Sequence, residues 1–235
     1  MHFKNLRQMT KITETNRWLA LGAVAGPILF TFAWVVLGVF QPATRNMYGV
    51  MGGISGAISN PISGLGVGPN AAAFNLAFLI CGLTTLAGVI GIFLSSDVKR
   101  QPVKCFLCAM LLGLSPLGLS MAGVYTLASS LSLHFVAAAL LFLSPVVSFL
   151  IAGSYFRGMP EWRKFGTLLT IASPITAGLI ICYAISFNQA AVANGQGIAG
   201  LTERLLIIWV QLWYVIMGWK VFVLQRQRLK LKYAI

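Results

Sequence analysis

Four acidic residues, two histidines and four cysteines are all the carboxylates, imidazoles and thiols this 235-residue chain holds. Glu14, Asp97 and Glu161 lie among basic residues, and Glu203 opens the last apolar run. None falls in the middle of such a run, which argues against proton relays and buried carboxylate pairs. Catalytic zinc needs three converging protein ligands, and His2 and His134 do not supply them. A bis-histidine haem needs two histidines inside the apolar runs, and only His134 comes near one. Cys105 and Cys108 form a CxxC with no second pair and no histidine beside it, so both read as packed thiols. Cys81 and Cys182 read as small core residues. No cofactor, metal or catalytic residue is expected.

What remains is a set of polar groups at the ends of the apolar runs: Arg45, Asn70, Asn75, Tyr125, His134, Glu203 and Arg204. His134 reads first as an interfacial packing residue. In "GLTER", Gly200 to Arg204, Thr202 is suited to cap a helix, and Glu203 in its first turn would complement the positive helix end. Glu203 and Arg204 cannot both face lipid, so at least one is expected to turn toward the bundle or its mouth.

The elements that must position these groups are set by composition. The chain is 58% hydrophobic and 9% charged, with a mean hydropathy of +0.85. A soluble domain carries about 25% charged residues. Six windows suit helices across about 30 Å of hydrocarbon: 18–40, 72–94, 105–127, 133–156, 166–187 and 204–224. Backbone groups in hydrocarbon must be satisfied internally, and runs such as "AAALLFL" do not alternate as barrel strands would. The expected fold is an all-α bundle of six transmembrane helices. It spans 18–224, between basic cytoplasmic tails at 1–17 and 225–235. The first window is too long for a cleaved signal peptide and has no small-x-small site after it.

Charge sets the expected orientation. Fifteen of the 17 basic residues fall in the two tails and in alternate connections, and only Arg45 and Arg204 fall on the opposite side. Cationic loops stay cytoplasmic, so both termini are expected inside a cell membrane, the cytoplasmic membrane of a prokaryote. The same residues suit anionic lipid headgroups at the inner face. Nucleic acid is not an expected partner, because no domain carries aromatic platforms or a groove-reading helix. Helix–helix contact with partner subunits is open, through small residues such as those of "GAVAGP" and "AGVIG".

Pro27, Pro116, Pro145 and Pro174 fall inside expected spans, and each bends its helix. Ser115, Ser144 and Ser173 precede three of them at equal spacing and are placed to bond carbonyls that the prolines free. The equal spacing reads as regular span length rather than a repeat.

One uncharged stretch interrupts the pattern: "NPISGLGVGPNAAAFN", Asn60 to Asn75, at the end of a long connection. Irregular backbone at membrane depth survives only where protein or trapped water satisfies it. Ser63 to Asn75 is therefore expected to fold as a lid over the outer helix ends, near His134, Glu203 and Arg204.

"WLALGAVAGPILF", "NPISGLGVGPNAAAFNLAFLICGL", "HFVAAALLFLSPVVSFLIAG", "WRKFGTLL" and "GLTERLLIIWVQLWYVIMGWKVF" together resemble the prokaryotic integral-membrane family called domain of unknown function 998. The resemblance covers most of 18–224. Its Ser-x-Leu-Gly pattern with a following Asn falls on Ser63, Leu65, Gly66 and Asn75. The histidine opening the fourth helix falls on His134, and the Glu-Arg step on Glu203 and Arg204. Members often carry an acidic residue after the third helix; "GVYTLASSLSLH" has none, which counts against an acid-dependent role here. The resemblance implies the fold and topology more than an activity.

Three functions fit these features. The leading one is binding or moving a small amphiphile, a lipid or isoprenoid, at the outer face, with Ser63, Asn70, Asn75, His134, Glu203 and Arg204 as the ligand-binding cluster. The second is an intramembrane lipid-modifying enzyme, which needs His134 and Glu203 within a hydrogen bond or one water of each other. The third is an accessory subunit of a larger membrane complex.

Overall fold

Long apolar runs broken by glycine, proline and polar residues leave the chain one way to satisfy its backbone in lipid, as helices. The computed structural model describes residues 16–41, 44–46, 49–51, 53–95 and 101–233; at 44–51, 225 and 228–233 the description is of the backbone. The basic residues Lys4, Arg7, Lys11, Lys99 and Arg100, with His2, Glu14 and Asp97, lie outside the described residues, as does most of the tail at 1–17.

Six helical segments are long and apolar enough to cross a membrane: Asn16–Val39, Ala71–Ser95, Pro102–Val124, Leu131–Arg157, Pro160–Ser186 and Ala199–Leu224. They carry the helices α1 (Gly22–Val39), α3 (Ala71–Ser95), α4 (Pro102–Val124), α5 (Leu131–Arg157), α6 (Arg163–Ser186) and α8 (Ala199–Tyr233). Five windows fall within a few residues of expectation. The sixth helix starts at Ala199 rather than near 204. At 35 residues it is far longer than a 30 Å crossing needs, so it runs on past the membrane into the basic end.

The connection after α1 holds a short antiparallel ladder, β1 (Thr44–Asn46) with β2 (Gly49–Met51), then α2 (Gly53–Ser59) and a 3-10 turn, Ile62–Val67. Gly53 enters α2 at φ +60, a left-handed value that glycine adopts without strain. A second connection holds α7 (Gln189–Ala193), whose start is capped by the Asn188 side chain accepting from the Ala191 N–H at 3.0 Å. It packs against β2, so two connections together cover one end of the bundle. We call this the cap end and the opposite one the tail end.

Each of α1, α3, α4, α5 and α6 packs against the next, while α8 packs against α1 and α6 and also touches α3 and α5. The last helix thus closes the ring and fills its middle. Backbones approach closely at glycines. A Cβ on Gly88 of α3 would strike the Gly22 and Ala23 backbone, and one on Gly153 of α5 would strike Gly166 and Thr170 of α6. The outer flanks carry exposed apolar side chains such as Phe32, Phe106, Phe135 and Ile185, as a lipid-facing surface should.

Two of the four helix prolines are served across helices. Pro116 frees the carbonyl of Leu112, and Tyr214 Oη of α8 donates to it at 2.8 Å. Pro145 frees the carbonyl of Leu141, and Ser115 Oγ of the preceding helix donates to it at 2.9 Å. Ser173 Oγ likewise crosses to the Val146 carbonyl at 2.6 Å. Only Ser144 bonds within its own helix, to the Leu140 carbonyl at 2.6 Å. Two of the three evenly spaced serines, Ser115 and Ser173, are thus bridges between adjacent spans.

Candidate functional site

The site is built where α8 begins. Because α8 opens at Ala199, Thr202 and Glu203 lie inside the helix and not at its cap. The capping role expected for Thr202 is corrected accordingly. Its Oγ1 donates backward, to the carbonyls of Ile198 at 3.2 Å and Ala199 at 3.0 Å. Glu203 and Arg204 are thereby carried one turn deeper, where they are 4% and 7% exposed.

Gly200 makes the next contact possible. A Cβ there would strike the carbonyl oxygens of Asn60 and Ala57, so glycine lets the connecting backbone lie directly on α8. Arg204 Nη1 then donates to the Asn60 carbonyl and to the Gly200 carbonyl, each at 2.9 Å. The guanidinium lies over the Trp34 ring, 5.4 Å from its centroid. Glu203 Oε2 accepts the Ile62 N–H at the start of the 3-10 turn. Farther along, Asn75 Nδ2 donates to the Gly66 carbonyl at 2.9 Å. The connection is therefore seated on α8 through Asn60 and Ile62, just ahead of the Ser63–Asn75 stretch expected there and with no bond to His134 among the described residues; Asn60, Pro61, Ile62, Gly64, Leu65 and Gly66 are buried. Side chains of α3 and α8, those of Asn75, Glu203 and Arg204, hold its backbone polar groups.

A cavity of about 180 Å3 lies beside this contact, between α1 and α2, with walls that include Trp34, Gly38, Ala57, Asn60, Leu65 and Arg204. Of the expected cluster, Arg204 alone lines it. Glu203 and Asn75 hold the lid from beneath. Ser63 and Asn70 are half-buried in the lid and its junction with α3 and do not line the cavity. His134 is 6% exposed and tied elsewhere, its Nδ1 2.7 Å from the Tyr125 carbonyl at the end of α4. A carbonyl only accepts, so the proton sits on Nδ1. No hydrogen bond among the described residues joins His134 to Glu203, and the direct acid–base pair that the enzyme reading would use is not formed.

Trp34, Asn60 and Gln41 were not on the expected list. Gln41 is buried beneath Gly68, with no hydrogen-bond partner for its amide among the described residues. In sequence Trp34 is one aromatic in an apolar run, and Gln41 follows the end of α1. Nothing in their spacing separates them from interfacial residues. Asn60 contributes through its carbonyl, which any residue would offer.

A second cavity, of about 20 Å3, lies mid-bundle among Pro27, Thr85, Ser115, Pro116, Gln211 and Tyr214. It is large enough for one water. Gln211 Oε1 accepts from Thr31 Oγ1 at 3.1 Å while its Nε2 has no partner. Cys105 and Cys108 are buried, free and remote from the cap, and no group of three metal-ligating side chains occurs among the described residues. Cys81 is in the core as expected, whereas Cys182 is exposed on α6.

No curated protein and no solved structure matches this chain. The profile of the family described as "Protein of unknown function (DUF998)" matches residues 24–220, which takes in four of the six spans whole, most of the first and last, the lid and the Glu203–Arg204 step. With six membrane-crossing helices and that match over most of its length, the chain is a multi-pass membrane protein belonging to the DUF998 family.

Proposed function

We propose that this protein binds or carries a small amphiphile, a lipid or isoprenoid, at the capped end of its bundle. The observation that carries this reading is the cavity of about 180 Å3 between α1 and α2, apolar but for a few groups around Arg204. Ligand sites are mostly apolar with a small number of placed polar groups. An enclosed space of about 150 Å3 is enough for a benzene ring, so this one suits a ring or a short run of alkyl chain. Val39 and Ile54, both lining it, are exposed on the lipid-facing flank, which gives a chain a lateral way in.

The cap end is placed outside and both termini in the cytoplasm of a cell membrane, on the strength of the charge asymmetry. The basic residues of the tail end then meet anionic headgroups of the inner leaflet. Arg17 lies over Trp18 and Phe222, and Lys220 over Trp162, an arrangement suited to anchoring at that interface.

Native mass spectrometry of the protein extracted from its own membrane tests the binding reading. The expected result is a co-purified amphiphile, lost when Gly38 is replaced by Leu. A spectrum free of bound amphiphile would count against it. For topology, single cysteines placed in a cysteine-free chain should react with an impermeant reagent at the cap and not at the carboxyl tail. Labelling of the tail in intact cells reverses the orientation.

A further inference from the structure

Among the described residues Arg204 is the one charged side chain lining the cavity, and it is more than nine-tenths buried. A buried guanidinium needs its charge and its five donors met, or it costs several kcal/mol. Here both bonds to neighbouring carbonyls run through one nitrogen, Nη1. Nε has no partner. Its neighbour in sequence, Glu203, spends Oε2 on the Ile62 amide. Trp34, on the same cavity wall, offers its ring face to the guanidinium and has its indole N–H without a partner. One edge of the guanidinium is thus left over, the edge formed by Nε and Nη2. That edge carries two parallel N–H donors, the spacing that matches two oxygens of a carboxylate or phosphate.

We propose that the ligand is anionic: its carboxylate or phosphate sits on the Nε–Nη2 edge of Arg204, with its alkyl chain in the cavity between α1 and α2. This rests on the amphiphile reading above and names the headgroup it recognises. A neutral alcohol of the same chain length brings one accepting oxygen and no charge, so it matches the edge less well. Free inorganic phosphate would match it but leave the apolar walls empty, forgoing about 0.8 kcal/mol per buried methylene.

The test uses the full chain in a non-ionic detergent, titrated by native mass spectrometry with dodecyl phosphate, dodecanol and inorganic phosphate. The expected result is a one-to-one dodecyl phosphate complex, at least about tenfold tighter than dodecanol, with inorganic phosphate failing to compete. Arg204→Gln should bring dodecyl phosphate down to the level of dodecanol, and Arg204→Lys should fall between, keeping the charge and losing the fork. Gly38→Leu is the second variant. A Cβ at Gly38 meets only Leu65 Cδ1, at 3.6 Å, so a larger side chain enters the cavity without disturbing Arg204. It should weaken both alkyl probes alike. If Arg204→Gln does not fold, the wild-type preference and the Gly38→Leu result decide. Equal binding of dodecanol and dodecyl phosphate, both lost in Gly38→Leu, overturns the anionic headgroup and leaves the amphiphile reading standing. Competition by inorganic phosphate at equal strength makes the site one for a free anion. Binding of neither alkyl probe removes both readings.

Discussion

The lid and the α1–α3 seam are both built around glycines, yet they are held by different forces. In the seam, Gly22, Gly26, Gly88 and Gly91 put backbone against backbone, and a Cβ on any of them would strike main-chain atoms of the facing segment, together with the Thr85 hydroxyl at Gly26 and Leu19 Cβ at Gly91. In the lid, Gly66 faces the side-chain oxygen of Asn75, and the loop is tied down by single bonds from Glu203, Arg204 and Asn75. The seam fixes where the helices are. The lid is fastened to them afterwards, by bonds that each contribute about 0.5–1.5 kcal/mol, or about 1.5–3 when one partner is charged. A region fastened in this way can open without unfolding the bundle, as the proposed ligand would need.

The sharpest way to break that contrast is to put the same methyls into both places. Gly88→Val in the seam should cost about 3 kcal/mol or more, because neither helix can yield. Gly22→Val should behave the same way, since its Cβ would strike the Thr84 carbonyl and the Gly88 amide. Gly66→Val in the lid should cost about 1 kcal/mol, the bond lost when Asn75 rotates away. Thermal stability in detergent, followed by the fraction remaining monodisperse, measures both. A Gly66 variant as damaging as the Gly88 variant would show that the lid is part of the rigid core.

Next in size is Glu203. Removing its carboxylate in Glu203→Ala leaves the buried Ile62 N–H without a partner, at about 1–3 kcal/mol. Glu203→Gln keeps an acceptor and should lose less. Hydrogen exchange at residues 62–67 reads this directly. Exchange should rise strongly in the alanine variant and slightly in the glutamine variant, with the six spans unchanged. Unaltered protection in Glu203→Ala would mean that the lid is held by its apolar residues, Ile62 and Leu65.

How much of this was legible in the sequence depended on the length scale of the signal. Spans of more than 20 apolar residues leave little freedom, so α1, α3, α4, α5 and α6 were visible from composition. The burial of the lid was legible because an uncharged stretch with polar backbone needs partners. The start of α8 was not, because "GQGIAGLTER" contains several acceptable breaks. The helix follows Gly197, whose φ of +81 ends the preceding loop, and runs through Gly200 and Thr202. That five-residue shift moved Glu203 from the first turn into the lid contact. The cluster itself divided. Arg204 reached the cavity, Glu203 and Asn75 became fasteners, and His134 went to Tyr125, because which way a side chain turns depends on neighbours far away in sequence. Trp34 and Asn60 come from α1 and the lid, and only the fold joins them to Arg204.

A smaller effect tests the seams between adjacent spans. Ser115→Ala removes the donor to the Leu141 carbonyl that Pro145 has freed. Bonds of this kind between membrane helices average about 0.6 kcal/mol and reach about 1.7. Ser144→Ala removes a bond within one helix turn and should cost less, since back-bonding of that kind slightly destabilises a helix. A larger loss at Ser144 than at Ser115 would contradict the bridging role.

The smallest expected effect lies at the far end of the bundle from the lid. Cys105 and Cys108 are buried at 3% and 1% exposure on α4, and they are free thiols. Lys104 precedes the pair, and no histidine or carboxylate occurs within the same helix to complete a metal set. The Tyr155 side chain is within hydrogen-bonding reach of Cys105, a contact that a hydroxyl can also make. The Cys→Ser pair changes each side chain by one atom of similar shape. Each new hydroxyl can bond to the carbonyl one turn back, Gln101 for residue 105 and Lys104 for residue 108. The cost should stay below about 1 kcal/mol, the residue of exchanging a polarizable thiol for a more polar group in the core. The double variant should therefore match the parent in yield, melting and dodecyl phosphate affinity. Loss of a bound metal, or a drop in affinity without a drop in stability, would tie this end of the molecule to the cap, and the division between a rigid bundle and a fastened lid would have to be redrawn.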